Sequence, residues 1–132
     1  MKKTLSMLSA IIALVIIAIT PANAEVKLDD NSKIIGKWHV YAAAPALHKE
    51  KRKQDSVWEF KKDNTLIIKG KDVVSGRTGM MDIKLKYSIE DGKLKRQTSP
   101  GRQKFETCSF YELTDKDMTL KCTYLYYFLN KM

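Results

Sequence analysis

The chain has 132 residues, with 24 Lys or Arg against 15 Asp or Glu and a net charge of +9. That length allows one domain with a modest core. The positive charge is mostly lysine, a point charge without arginine's bidentate fork, which argues against a reader of nucleic-acid sequence.

Residues 1–24 have the layout of a cleavable secretory leader. Lys2 and Lys3 form a basic start, Leu5 to Ile19 is nearly all apolar, and Pro21-Ala22-Asn23-Ala24 offers a small-residue cleavage site. The apolar run is shorter than the roughly 20 residues that span a bilayer, so no stable membrane insertion is expected. The expected product is residues 25–132, a single domain of net charge +7 once Lys2 and Lys3 are removed. Its expected location is the periplasm or the cell exterior.

Within that product, alternation with a period of two recurs, and helical periodicity is missing. Ile34, Gly36, Trp38, Val40 and Ala42 share one face of a first strand, with Ile35, Lys37, His39 and Tyr41 on the other. Ala42 to Leu47 reads as the exit of that strand, because Pro45 cannot continue a ladder. The basic run His48 to Lys53 reads as a mobile loop. Ser56 to Lys61 is a second strand with Trp58 and Phe60 on one side, and Lys62-Asp63-Asn64 turns the chain into Thr65 to Lys69. Val73-Val74 suggests a short strand.

Met81 to Ile89 alternates most clearly: Met81, Ile83, Leu85, Tyr87 and Ile89 face one way, and Asp82, Lys84, Lys86 and Ser88 the other. One face is expected to be buried and one wet. Asp91-Gly92 is a hairpin signal leading into Lys93 to Thr98. After the loop at Ser99-Pro100-Gly101, Lys104 to Leu113 and Met118 to Leu129 read as two long final strands around Thr114 to Asp117. Seven or eight short strands joined by tight turns suit an all-β, antiparallel, up-and-down barrel or a sandwich.

Several motifs in order carry a family resemblance. Gly36-Lys37-Trp38, Phe60 with Asp63-Asn64-Thr65, Tyr87 running to Leu94, and the Leu113-Thr114 to Met118 and Leu120 hairpin together resemble the lipocalin-like branch of the calycin barrels. The likeness is to the short bacterial lipocalin-like domains. It implies an eight-stranded antiparallel barrel, with Gly36 admitting neighbouring backbone and Trp38 plugging the floor. It also implies a small hydrophobic or amphipathic ligand. The chain departs from long lipocalins in having no C-terminal helix and no arginine near the C-terminus to cover the tryptophan.

Cys108 and Cys122 are the only cysteines, and an oxidising compartment makes them a disulfide candidate, with free buried thiols as the competitor. Centring the hairpin on Asp115 puts them opposite each other. Strict alternation would turn Cys108 outward, and a bulge near Tyr111-Glu112 reconciles the two by letting Cys108, Phe110 and Leu113 all point in.

No catalytic constellation stands out, no cofactor is expected, and His39 and His48 lack partners at metal-ligand spacing, so no metal site is expected. The expectation is a binder, not an enzyme. Trp58, Phe60, Tyr87, Tyr124, Tyr126 and Phe128 all fall on expected inner faces, either as core or as pocket walls. Arg77, Arg96 and Arg102 are candidates for a cationic rim that attracts an anionic ligand such as a fatty acid or lipid, and Arg96 joins the ligand-binding set. The rival reading is a periplasmic protein-binding or inhibitor module with a solid barrel. Leu125, Tyr127 and Leu129 are expected to face outward, as a patch for a homodimer or beneath residues Val26 to Lys33.

Overall fold

A computed structural model describes residues 25–71 and 80–132. The leader at 1–24, the Val73-Val74 strand and Arg77 lie outside the described residues. Eight strands form a closed antiparallel barrel: β1 Gly36–Ala44, β2 Arg52–Phe60, β3 Thr65–Lys71, β4 Met80–Glu90, β5 Lys93–Gln97, β6 Phe105–Leu113, β7 Asp117–Lys121 and β8 Tyr126–Lys131. Each strand pairs with the next, and β8 pairs with β1. No helix long and apolar enough to cross a membrane occurs among the described residues.

The barrel has two unlike ends. At one, the segment before β1 closes the interior: Val26 bridges to Phe110, Leu28 N–H donates to the Gly92 carbonyl, and Ile34 is fully buried. Trp38 packs there, its indole Nε1 donating to the Ile34 carbonyl at 2.9 Å. Lys131 Nζ sits 4.8 Å from the Trp38 ring centroid and donates to the Ile35 carbonyl. A lysine from β8 therefore covers the tryptophan where long lipocalins use arginine. Gly36 has a φ of 121°, and a Cβ there would meet the Lys131 side chain. Its freedom makes room for a side chain, which corrects the expected close approach of backbone.

Tyr87 ties this end together by donating to the Lys61 carbonyl at 2.6 Å and accepting from Asn31 Nδ2 at 3.1 Å. Burial raises its phenol pKa above the usual 10.0, an effect only partly offset by the Asn31 hydrogen bond. The Asp91-Gly92 turn has positive φ at both residues, the backbone that a two-residue hairpin requires. Leu85 and Tyr87 on β4 are buried while Asp82, Lys84 and Lys86 are exposed, as the alternation requires.

Cys108 and Cys122 form a disulfide. The pairing of β6 with β7 slips between Phe110 and Glu112, so a bulge at Tyr111 brings the cysteines opposite each other with Phe110 buried and Leu113 against the core.

Two boundaries differ from expectation. Arg52 and Lys53 begin β2 instead of belonging to a loop. The expected strand from Met118 to Leu129 is two strands, because Cys122 N–H donates to the Leu125 carbonyl and reverses the chain within four residues.

That turn resets which side chains face inward. Tyr127 packs against the core cluster and Leu129 is fully buried, so they form the inner face of β8 with Leu125 just before it, and the expected outward patch does not exist. Tyr124 is 83% exposed. Tyr126 and Phe128 join Tyr41, Ala42 and Ala44 in a cluster separate from the core, on the barrel's outside. Ala42 is there because the β1 register slips between Val40 and Ala42, which moves Ala43 onto the inner face beside Tyr127 and Arg52. The segment Val26 to Lys33 covers the closed end, not β8.

Candidate ligand-binding site

The closed half of the barrel is packed with large side chains, among them Trp38, Phe60, Leu66, Leu94, Phe110 and Met118. Above them, Trp58 and Tyr127 lie with ring centroids 5.1 Å apart, and Phe60 meets Tyr87 edge-on at 5.2 Å. Trp58, Phe60 and Tyr87 thus face inward, within the packed core.

Arg96 is not at the rim. On β5, alternation with Leu94 turns it into the barrel, where its Cζ lies 4.9 Å from the Trp58 centroid and 5.7 Å from that of Tyr127. Its Nη2 donates to Glu106 Oε2 at 3.0 Å, and Glu106 Oε1 accepts from Thr123 N–H. An ion pair this far out of water persists only with such additional partners. Among the described residues, two buried side-chain donors remain unpartnered, Nε of Arg96 and Nε2 of Gln54.

Nearer the mouth the side chains shrink. Ala43, Ala44 and Pro45 end β1, and Arg52 starts β2 beside Ala43. A cavity of about 790 Å³ opens here, lined by Ala43–Pro45, Lys49–Lys53 and Leu125. Its wall is apolar at Ala43, Ala44, Pro45 and Leu125, and cationic at Lys49, Lys51, Arg52 and Lys53, with Glu50 the single acid. Lys51 also lies over the Phe128 ring, 4.1 Å from the centroid. None of Trp58, Phe60, Tyr87, Tyr124, Tyr126, Phe128 or Arg96 lines this cavity. The alanine run and the basic segment after it are the sequence signals that mark it. Leu125 carries no such signal, because its inward direction depends on the turn at 122–125.

Glu106, Cys108 and Cys122 bring their ligand atoms within 4.8 Å of one another, but the two sulfurs are bonded to each other, which leaves no thiolate for a metal.

No protein-family model matches the chain, and no curated protein matches it. Two solved structures are similar in fold. One is a lipocalin-like protein from Bacteroides uniformis, 14% identical with a TM-score of 0.59, covering 76% of this chain and 99% of that one. The other is an uncharacterized protein from Bacteroides eggerthii, 17% identical with a TM-score of 0.58, covering 74% of this chain and 98% of that one. Strand order, closure and these two likenesses agree: the fold is a lipocalin-like, eight-stranded antiparallel barrel.

Proposed function

We propose that this protein is a secreted or periplasmic binder, not an enzyme, that holds a small amphipathic molecule with an anionic head in the cavity at the open end. The observation that carries this reading is the cavity's size and lining. About 790 Å³ falls within the range of small-molecule sites, and an apolar wall with a few polar groups is their usual make-up. The four cations around Glu50 favour an acid at the rim, such as that of a fatty acid or an anionic lipid fragment. The lipocalin-like fold and a disulfide suited to an oxidising compartment support the reading.

The buried donors of Gln54 and Arg96 do not line this cavity, so the ligand's chemistry rests on the lining alone: an apolar body against Ala43, Ala44, Pro45 and Leu125, with the acid near the cations of the β1–β2 connection.

Native mass spectrometry of protein purified from its producing cells, followed by titration with palmitate and with the matching alcohol, tests the proposal. A co-purified amphipath, or saturable binding that is tighter for the acid, supports it. No bound species and no binding of either probe would sink it. The rival reading, a protein-binding module, draws on the outer cluster of Tyr41, Tyr126 and Phe128. Lys51 already covers Phe128, which leaves ligand carriage the better supported of the two.

A further inference from the structure

Among the described residues, charge on this barrel is graded along its axis. At the open end, the β1–β2 connection places Lys49, Lys51, Arg52 and Lys53 around Glu50, and the loop at 98–104 adds Arg102 and Lys104 with no acid. Glu106, the next acid, is taken up by Arg96. Lys121 leads into the last turn of this end. The turns of the closed end are mixed instead, with Asp63, Asp91, Asp115 and Asp117 beside their lysines.

Apolar exposure follows the same axis. Four large hydrophobic side chains are exposed among the described residues, and Leu47, Phe105 and Tyr124 belong to the open end, leaving Met132 at the other. Tyr124 is 83% exposed at the tip of the 122–125 turn. A tyrosine with an apolar body and a polar tip suits the headgroup level of a bilayer, and lysines around it suit anionic lipid. An acidic protein would satisfy the charges, but it would give no reason for exposed Leu47 and Tyr124 on two separate connections of the same end.

We propose that the open end docks reversibly on an anionic lipid bilayer, with Leu47 and Tyr124 entering the headgroup region and the cavity mouth facing the lipid. The docking surface goes beyond the binding reading and needs no ligand in the cavity. An amphipath dissolved in the bilayer would then reach the cavity without crossing water.

Flotation with vesicles of phosphatidylcholine alone, and of phosphatidylcholine mixed with phosphatidylglycerol, tests the proposal. Binding is expected on the mixed vesicles and is expected to be much weaker on phosphatidylcholine. It should fall as salt shortens the screening length from about 10 Å at 0.1 M to about 3 Å at 1 M. Lys104→Gln, Lys121→Gln and Tyr124→Ser together should weaken vesicle binding at least about tenfold, given the worth of each cation near an anionic surface. Because none of the three lines the cavity, palmitate binding in solution should be kept. No flotation with the mixed vesicles at low salt overturns the proposal, as does equal binding to both vesicle types. Docking that persists in a protein that binds no amphipath supports this inference while removing the carriage reading.

Discussion

The guanidinium of Arg96 lies over the indole of Trp58, with 4.9 Å between Cζ and the ring centroid, while its Nη2 is held by Glu106 at 3.0 Å. The barrel interior therefore contains a charge pair seated on an aromatic ring, and each partner depends on the other. Arg96→Met leaves Glu106 largely buried and unpaired, and should cost about 3 kcal/mol in urea unfolding. Arg96→Met with Glu106→Gln should recover most of that loss, since the glutamine still accepts from Thr123 N–H. A single variant as stable as the parent would show that the pair does not hold the interior together.

At the closed end the same logic applies to Gly36 and Lys131. Gly36→Ala puts an L side chain at a φ of 121° and against the Lys131 ammonium. Thermal melts should report a loss of about 1–3 kcal/mol. Lys131→Met keeps the stem but removes the cation over Trp38, for about 1 kcal/mol. In that background Gly36→Ala should remain costly, because the backbone strain persists. Full rescue there would mean that only the side-chain clash mattered.

The disulfide joins β6 to the residue that follows β7, across a sequence separation of 14. Closing a loop of about 15 residues is worth roughly 3 kcal/mol, so reduction under conditions that keep the chain folded should lower the melting temperature. Thiol titration of denatured protein should find none before reduction and two after it. Two titratable thiols in freshly purified protein would contradict the bond.

Tyr87 links stability to alkaline pH. Its phenol pKa is raised above 10.0, chiefly by burial, so the unfolded chain ionises first. Stability from this group is fully present below about pH 10 and declines as pH rises past it. Tyr41 is raised as well, by burial and then by Asp117 and Glu112, and adds to the same decline. Tyr87→Phe should cost about 1 kcal/mol at neutral pH through the lost hydrogen bonds and should flatten the alkaline slope. Denaturant midpoints measured across pH would show no change of slope if Tyr87 ionised freely in the fold.

Much of the fold is legible in the residues because the local signals agree with one another. β4 alternates from Asp82 to Tyr87, Asp91-Gly92 supplies the backbone its hairpin needs, and pairing Cys108 with Cys122 while burying Phe110 requires the bulge at Tyr111. The β7–β8 turn is hidden because Cys122-Thr123-Tyr124-Leu125 contains no glycine, proline, asparagine or aspartate. Alternation through it looks continuous, and overlooking that one reversal puts Tyr124, Tyr126 and Phe128 on the wrong side. Arg96 is misplaced for a related reason: a charge reads as surface unless its partner is known, and Glu106 lies on the neighbouring strand. The cavity itself is marked by the alanines and the basic run, features that do not depend on strand phase.

If the open-end cavity holds an amphipathic ligand, filling the cavity with a large side chain should displace that ligand. Ala43 lines the cavity with its side chain on the inner face beside Arg52. Calorimetric titration of palmitate into the parent protein and into Ala43→Trp, with circular dichroism to verify that the variant is folded, compares an open and an occupied site. Saturable one-to-one binding to the parent is expected, with a loss of at least about tenfold in the folded variant, a ΔΔG of about 1.4 kcal/mol or more. Equal binding to both, or none to the parent, would contradict ligand binding in this cavity.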